Sequence, residues 1–441
     1  MTLVHKAAKQ LHDAPLRAPG PVAVPALPHP ASRPRAKEQP AVVILNMYYS
    51  GLGIARDLAG RGLLVVGLSA KREAYGNFTR CCEVRTAPDS GAQPEQLRAY
   101  LLEARNELEG AVVFPTRDLD VLFLDRYRLD LEPYYRLALP PTEVLERVLD
   151  KYALAQVAQG AGVPVPRSCV VNSEKDLARV ADEVGFPCVG KPVSSVHWRQ
   201  GGGWEKVGGR KAFLAQDAEE LRAEFQRVSA AHPSLLIQEW IPGSTRQIVV
   251  MGGYLDENAE PLGYFTARKV VQSPDDFGTG CIVQTEEIPE IVPLTRRLWR
   301  ALGYQGMSEV EYKQDPRTGE FKLIEINTRH WDQHTLGAAC GVNLSWIAYQ
   351  HVSGSKTEPV RPQIRRAKWI AEDALFFYAL RGIYHRRVRL GALRRELIGP
   401  RVYGIFAWQD PMPLLRYALS TMLPTLSRRA LSKLLRRRKE P

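Results

Sequence analysis

The hydrophobic pattern of the chain changes sharply after the first forty residues. Residues 1–40 are rich in proline and alanine and have no hydrophobic period, which predicts a disordered arm. The continuous apolar runs Ala41–Leu45 and Leu63–Leu68 are typical of buried parallel strands, and the helix-like stretch Leu52–Ala59 lies between them. This order is a βαβ unit, so we predict a small α/β domain with a parallel sheet over residues 41–140.

A second pattern, in which helices and strands alternate, begins after the proline pair Pro140–Pro141. One helix is predicted with Lys151 near its start, and another over about residues 291–302. The strands 307–314 and 320–327 flank a Pro-Arg-Thr-Gly turn, so we expect them to form an antiparallel hairpin. The predicted fold class is therefore α/β together with α+β.

Composition narrows the class of protein. The 45% hydrophobic and 24% charged content is that of an ordinary globular protein, and no apolar stretch is long enough to span a membrane. The N-terminal residues have no signal-peptide pattern, so we expect a cytoplasmic location. The six cysteines form no CxxC pair, which argues against a zinc or redox motif.

The net charge of +12 is unevenly distributed along the chain. Residues 41–360 hold 35 Lys and Arg against 41 Asp and Glu, whereas residues 361–441 hold 19 against 5. Because the body is acidic on balance and the basic excess lies in the two ends, we do not expect nucleic acid as a partner.

The basic C-terminal end has an amphipathic helical pattern, with apolar residues on one side of the helical wheel and basic residues on the other. The apolar positions are Leu426, Ala430, Leu431, Leu434 and Leu435, and the basic positions are Arg428, Arg429, Lys433 and Arg436. One interpretation is a helix that contacts an anionic membrane or an acidic partner, which would make the protein membrane-peripheral. The other is a structural helix that packs on the body and exposes its basic face to solvent.

The predicted hairpin carries the residues best suited to bind a metal ion. Residues two apart share a face of a strand, so Glu325 and Asn327 point the same way, and Glu311 can meet them from the partner strand. Three oxygen ligands then converge, which suits Mg²⁺ held against phosphates, with Mn²⁺ as an alternative ion. A solvent-exposed polar face of the hairpin is the other interpretation.

The motifs occur in an order that resembles the ATP-grasp superfamily over about residues 41–350. They are Phe-Pro-Cys-Val-Gly-Lys-Pro, a glycine-dense loop, Ile-Gln-Glu-Trp-Ile-Pro-Gly, Thr-Ala-Arg-Lys and the hairpin with its Glu and Glu-x-Asn. Within the superfamily, the strand Gly263–Pro274 and the loop 276–280 look most like predicted carboxylate–amine ligases near D-aspartate ligase. The resemblance implies a pre-ATP-grasp domain at 41–140, a two-lobed ATP-grasp domain at 141–355 with lobes at about 151–240 and 241–355, and a basic helical extension at 356–441.

The resemblance also implies a role for each matching position. The implied ATP-binding residues are Lys151, Lys191, Gly201, Gly202, Gly203, Gln238, Glu239, Trp240, Ile241 and Lys269. Among them the lysines contact phosphates, the glycines fold over the phosphates, and residues 238–241 recognise adenine. Arg268 and Arg329 are the implied catalytic residues: the first meets the phosphate or acyl phosphate, and the second orients the phosphate or carboxylate. The implied metal ligands are Glu311, Glu325 and Asn327.

Two positions leave alternatives open. Arg246 stands where many ATP-grasp ligases have a ribose-binding glutamate, so either another acceptor replaces that glutamate or Arg246 holds an acidic substrate. Asp118 follows a predicted parallel strand, at the edge where α/β sheets bind ligands, and is otherwise a loop or helix-capping residue.

Taken together, the roles imply an ATP-dependent carboxylate–amine ligase that forms an amide or peptide bond through an acyl phosphate and releases ADP and phosphate. Its partners would be a small-molecule carboxylate and an amine, and a homo-oligomer is compatible with the sequence. One alternative is an ATP-grasp carboxylase that uses bicarbonate. Another is a non-catalytic nucleotide-binding interaction protein.

Overall fold

The structure, a computed structural model, describes residues 39–194, 197–198, 203–274, 277–360, 366–384 and 390–425. Its first sheet is parallel and has the strand order β3-β2-β1-β4-β5. The strands are Val42–Leu45 (β1), Val65–Ser69 (β2), Glu83–Thr86 (β3), Val112–Phe114 (β4) and Arg136–Leu137 (β5). The accompanying helices are Tyr49–Leu58 (α1), Pro94–Glu103 (α2), Asp118–Arg126 (α3) and Arg128–Leu131 (α4). Every residue of the three central strands is buried and all but Ser69 are apolar, as expected for a sheet with both faces covered, which confirms the predicted parallel-sheet domain.

The second sheet is antiparallel, with the strand order β6-β9-β7-β8. Its strands are Ser168–Val171 (β6), Cys188–Pro192 (β7), Phe213–Ala215 (β8) and Leu235–Glu239 (β9). The helices of this part of the chain are Thr142–Leu149 (α5), Lys151–Gly160 (α6), Val180–Glu183 (α7), Gly203–Lys206 (α8) and Ala218–Ser229 (α9). The buried residues of α7 and α9 pack on this sheet, whereas most of those of α5 and α6 pack with the third sheet, described next. The side chain of Asp150 accepts hydrogen bonds from the backbone N–H groups of Tyr152 and Ala153, and this cap fixes Lys151 as the first residue of its helix.

The third sheet has seven strands in the order β14-β13-β10-β11-β12-β15-β16. They are Ile248–Leu255 (β10), Pro261–Ser273 (β11), Thr279–Thr285 (β12), Gly306–Gln314 (β13), Phe321–Asn327 (β14), Lys368–Ile370 (β15) and Arg401–Tyr403 (β16). All neighbours are antiparallel except the last pair, which is parallel. The predicted hairpin is confirmed as β13 and β14. The predicted helix at residues 291–302 is Ile291–Leu302 (α10), and Gly303 ends it in the left-handed conformation with φ 60°.

The helices that complete the described chain are Thr335–Ala339 (α11), Leu344–Val352 (α12), Glu372–Tyr384 (α13), Leu390–Glu396 (α14) and Met412–Tyr417 (α15), which continues as a π-helical turn at Ala418–Met422. The C-terminal extension is therefore largely helical, as predicted, but it also supplies β15 and β16 to the large sheet. It packs on the first domain as well. The buried carboxylate of Asp410 accepts hydrogen bonds from Arg56 Nε at 3.0 Å and Thr79 Oγ1 at 2.7 Å. Among the helices described, none has the length and apolar content needed to cross a membrane.

Candidate active site

A cavity of about 1130 Å³ lies between the antiparallel four-stranded sheet and the seven-stranded sheet. Its walls include β7 and β9 on one side and β11, β13 and β14 on the other. One end reaches the first domain, where Thr116, Arg117 and Asp118 follow β4. The two sheets approach closely here, since Lys191 Nζ lies 3.5 Å from the backbone oxygen of Ile324.

Three of the predicted ATP-binding residues are lysines on the wall of this cavity, and they come from three different elements. Lys151 begins α6, Lys191 lies in β7 and Lys269 lies in β11. Burial lowers the pKa of Lys191 to about 8, and the positive charge of Lys151 acts in the same direction. Lys269 differs from Lys191. Burial also acts to lower its pKa, but the nearby carboxylates of Glu311 and Glu309 outweigh burial, so the pKa is raised. The positive charges of the cavity wall therefore lie among carboxylates, which shift the pKa of a buried lysine to different extents.

The predicted metal ligands come together on the hairpin. Glu311 is the direct register partner of Glu325, and Asn327 follows Glu325 on the same strand. Glu311 forms an ion pair with Lys269, so its carboxylate already has a cation beside it. Within the described residues, no three His, Cys, Asp or Glu side chains form a metal-binding group. An ion at this position would therefore be held by two carboxylates and one amide oxygen, and its other ligands would come from outside the chain.

Glu309 is a third acidic residue in this cluster, and no role was predicted for it from the sequence. Asn327 Nδ2 donates a hydrogen bond of 2.8 Å to Glu309 Oε2. Burial raises the pKa of Glu309 to about 8, although nearby Lys269 opposes the shift. The pKa of Glu325 moves the other way, because Lys151 and three further lysines outweigh the effect of its burial. The alternation of strand positions could have identified Glu309, since it lies two residues before Glu311 and so on the same face.

The predicted adenine segment, residues 238–241, lines the same cavity. The carboxylate of Glu239 is engaged elsewhere, in ion pairs with Lys322 and with Arg167 Nε at 3.0 Å. The backbone oxygen of Ile241 accepts a hydrogen bond of 2.6 Å from Lys313 Nζ, which also lies 6.0 Å from the centre of the Trp240 ring. Of the predicted glycine loop, Gly203 begins α8, while Gly201 and Gly202 lie outside the described residues.

The structure places Arg268 away from the cavity wall. Its guanidinium donates two hydrogen bonds of 2.8 Å to the carboxylate of Glu286 and one of 2.6 Å to the backbone oxygen of Arg246. The reason is strand alternation: Lys269, the next residue in β11, takes the inward face and Arg268 the outward face. Arg246 is also off the wall, and its guanidinium pairs with Glu396 at 2.6 Å. Neither arginine is positioned to contact a ligand in this cavity.

Arg329, by contrast, does line the cavity, and it is held from the first domain. Its Nε donates a hydrogen bond of 2.7 Å to Asp118 Oδ1, and one terminal nitrogen donates to the backbone oxygen of His330 at 3.2 Å. Burial acts to lower the pKa of Arg329. The interactions with carboxylates, chiefly that of Asp118, outweigh burial, so the pKa is raised. Asp118 therefore joins two regions that are 211 residues apart in sequence. The segment Trp331–Gln333 lines the cavity next to this pair, and no motif in the sequence had indicated it.

Comparison with known proteins agrees with this architecture. The family described as carbamoyl-phosphate synthase L chain, ATP binding domain, matches residues 279–358. The D-alanine–D-alanine ligase of Pseudomonas putida is 29% identical over 187 residues, which cover 41% of this chain and 54% of that protein. The D-aspartate ligase of Enterococcus faecium is 23% identical over 229 residues, or 50% of this chain and 54% of that protein. The chain thus spans about half the length of the relatives that it matches.

A solved structure extends the likeness to most of the fold. The N5-carboxyaminoimidazole synthetase of Staphylococcus aureus, complexed with ADP, superimposes with a TM-score of 0.60 at 13% identity. The match covers 80% of this chain and 88% of that one. At this identity the likeness establishes the fold, and the relatives in sequence include the D-aspartate ligase that the motifs had indicated. The chain has the ATP-grasp fold, and part of its sequence is similar to ligases with that fold.

Proposed function

We propose that the protein is an ATP- and Mg²⁺-dependent carboxylate–amine ligase, which forms an amide or peptide bond and releases ADP and phosphate. The observation that carries the proposal is the arrangement inside one cavity. Lys151, Lys191 and Lys269 converge there with the acidic hairpin that contains Glu311 and Glu325. Phosphoryl transfer requires this combination, because cations must offset the phosphate charge while oxygen ligands hold the metal.

The lysines would bind the ATP phosphates. The positive charge of Lys151 contributes to the lowered pKa of Lys191, and a triphosphate bound between the two lysines would offset this repulsion. Lys269 would take over the phosphate contact that the sequence had implied for Arg268, because Lys269 lies on the cavity wall. Residues 238–241 would bind adenine mainly through their backbone, since the carboxylate of Glu239 is already paired.

The residues present fit a Mg²⁺ ion. Glu311, Glu325 and Asn327 supply hard oxygen ligands, and the ion pair between Glu311 and Lys269 shows that this position accommodates positive charge. When bound, the ion would supply charge stabilisation at the phosphates that are being separated.

In the first step, a carboxylate oxygen of one substrate attacks the γ-phosphorus of ATP, the bond to the β-phosphate oxygen breaks, and ADP is formed. In the second step, the amine nitrogen attacks the acyl carbon, phosphate leaves with the bonding electron pair, and the amine loses one proton. Arg329, oriented by Asp118, would hold the carboxylate and then the acyl phosphate. No nucleophilic side chain is required.

The relatives guide the choice of substrates. Their names specify D-alanine and D-aspartate, so these amino acids belong in the first screen. ADP release should be measured at millimolar Mg²⁺ with pairs of amino acids and small carboxylates, and products should be identified by mass spectrometry and nucleotide chromatography. We expect ADP and phosphate to form only when both an acid and an amine are present. Accumulation of AMP and pyrophosphate would contradict the proposal.

The same assay separates the alternatives. A carboxylase would require bicarbonate for ATP turnover, so turnover should be compared in bicarbonate-free and bicarbonate-supplemented buffer. A non-catalytic nucleotide-binding protein would bind ATP, as calorimetry would detect, but would release no ADP with any substrate pair. We expect turnover that does not depend on bicarbonate.

We also propose that the C-terminal extension brings the enzyme to an anionic surface, which would make a cytoplasmic enzyme peripheral to the membrane. The support for this proposal is the charge of residues 361–441, with 19 basic against 5 acidic residues. A homo-oligomer is compatible with this proposal, and size-exclusion chromatography with light scattering would test it.

A further inference from the structure

The surface of the C-terminal extension carries an apolar stripe that the described chain leaves exposed. α15 and the turn after it place Met412, Leu415, Leu419 and Leu423 at intervals of three and four residues, which is one side of a helix. Their side chains are between 44% and 64% exposed. Trp408, just before the helix, is 89% exposed. Single exposed leucines are common on proteins, but here one methionine and three leucines share one face of a helix, and an exposed tryptophan lies four residues before them.

The opposite side of the same helix is fixed to the body. Leu414 and Tyr417 pack on the small core formed by Leu52, Tyr75 and Ile405. The rings of Tyr75 and Tyr417 meet edge to face with their centres 5.8 Å apart. Arg416, which is exposed on the same side as the stripe, also contacts the body, because its guanidinium lies 4.6 Å above the ring of Phe78. The stripe is therefore presented outward by a docked helix, and exposing it does not require the helix to leave the body.

Charge indicates what would cover the stripe. From Pro411 to Lys439 the sequence has eight basic residues and no acidic one. A second copy of the chain would bring a second basic segment of the same sequence to the contact, which disfavours self-association through the stripe. An anionic bilayer matches both features, because it takes up apolar side chains at the level of the headgroups and attracts basic residues such as those of this part of the sequence. Tryptophan is also enriched at that level of membranes.

We propose that the stripe defined by Trp408, Met412, Leu415, Leu419 and Leu423 is a docking surface for the interface of an anionic membrane. This inference rests on the proposed anionic contact of the C-terminal extension and adds the surface that makes it. The basic residues would provide the attraction over distance, and the stripe would insert while α15 stays packed on the first domain. The active-site cavity would then remain complete when the protein is bound to the membrane.

The test is flotation of the full chain with vesicles of phosphatidylcholine alone or mixed with phosphatidylserine, at low and high salt. We expect binding to the mixed vesicles only. The variant with Leu415→Ser, Leu419→Ser and Leu423→Ser should bind at least ~10-fold more weakly, because three apolar side chains no longer enter the interface. The control variant with Leu129→Ser and Ile398→Ser changes apolar residues that are 87% and 67% exposed elsewhere, and it should bind like the wild type.

A third variant separates this inference from the anionic contact on which it rests. A chain that ends at Thr425 lacks the last basic residues but keeps Leu414 and Tyr417 on the body. If it loses binding while the triple serine variant binds like the wild type, the basic segment alone makes the contact and the stripe proposal is wrong. If the wild type binds no vesicle at low salt, the anionic membrane contact itself is wrong. Retention on polyglutamate without vesicle binding would then identify an acidic protein partner instead.

Discussion

Two groups of buried carboxylates in this protein differ in how completely they are paired. Asp120 accepts hydrogen bonds from Ser90, from two backbone N–H groups and from the Arg117 guanidinium. Asp410 accepts from Arg56, Thr79 and the backbone of Arg80. In the cavity, by contrast, the only hydrogen bond described for the side chain of Glu309 comes from Asn327, and its pKa is raised to about 8.

The difference follows from what each group has to do. A carboxylate that holds two parts of the fold together is most stabilising when the chain supplies all of its partners. A carboxylate that binds a ligand must keep some of its acceptor capacity free, and then burial shifts its pKa. Lys191 shows the same effect with the opposite sign, since burial lowers its pKa to about 8. The comparison predicts that substitutions in the cavity mainly affect turnover, and that substitutions at the paired sites mainly affect stability.

The largest expected effect is that of Glu325→Gln. Loss of the charged ligand should reduce ADP release by at least ~1000-fold, because the metal and the lysines that surround Glu325 lose their common counter-charge. The circular dichroism spectrum and melting temperature should change little. Glu320→Gln, at the exposed end of the same hairpin, is the matched control and should retain full turnover. A Glu325→Gln enzyme with normal turnover and unchanged Mg²⁺ dependence would show that the metal site is elsewhere.

A smaller effect should separate the two faces of one strand. Lys269→Met removes a cation from the cavity wall and should reduce ADP release by about 100-fold. Arg268→Met removes the neighbouring cation on the other face, where only Glu286 and a backbone oxygen lose their partner, so turnover should stay within ~3-fold of the wild type. The measurement is kcat and KM for ATP of both variants. A larger loss of turnover in Arg268→Met than in Lys269→Met would support the catalytic role that the resemblance implies for Arg268.

The neighbouring positions 268 and 269 also show what the sequence could and could not reveal about the site. The Thr-Ala-Arg-Lys motif located both cations, but the motif does not state which one faces inward. Phe265 and Ala267 are buried, and Lys269 continues their face, so strand alternation could have decided the question. Asp118 is different. Its pairing with Arg329 spans 211 residues and two domains, and no local pattern in the sequence encodes that contact.

The fold itself could be predicted where a single local signal dominates. Continuous apolar runs identified the central strands of the first sheet, and a proline-glycine turn identified the β13–β14 hairpin. The strands Lys368–Ile370 and Arg401–Tyr403 were not predicted. Each has three residues, too few to show a period, and they are strands because the edge of the large sheet supplies backbone partners.

Substitution of a fully paired carboxylate should affect stability and leave ATP turnover intact. Asp410→Asn leaves the partly buried guanidinium of Arg56 without its counter-charge, so we expect the free energy of unfolding to fall by about 2 kcal/mol. Urea denaturation would measure the loss, and KM for ATP should be unchanged. Glu107→Gln breaks an ion pair with Arg85 at the surface and serves as the control, with an expected loss below ~1 kcal/mol. A raised KM for Asp410→Asn would mean that this site and the cavity are coupled.

The smallest effect is expected for substitution of Asp57. It tests whether burial with few hydrogen-bond partners is enough to raise the pKa of a carboxyl group. Asp57 lies outside the cavity, its carboxylate accepts one hydrogen bond of 2.9 Å from Ser345, and burial raises its pKa to about 7 from 3.8. Between these two values the folded state keeps a proton that the unfolded state has released, so stability falls as the pH rises and levels off above about pH 7. Because buried His330 and His334 have lowered pKa values and act in the opposite direction, the informative quantity is the difference between wild type and Asp57→Asn.

From pH 6 to pH 8, the wild type should lose about 1 kcal/mol of unfolding free energy relative to Asp57→Asn, measured by urea denaturation at each pH. The reason is that only the wild-type chain must ionise a buried carboxyl group over this range. Ser345→Ala removes the one hydrogen-bond donor and should push the decline to higher pH. Parallel curves for wild type and Asp57→Asn would mean that Asp57 ionises as readily in the folded chain as in the unfolded one. In that case, a low number of hydrogen-bond partners would not be sufficient to raise the pKa of a buried carboxyl group. The raised pKa of Glu309 would then have to come from the charged residues near it.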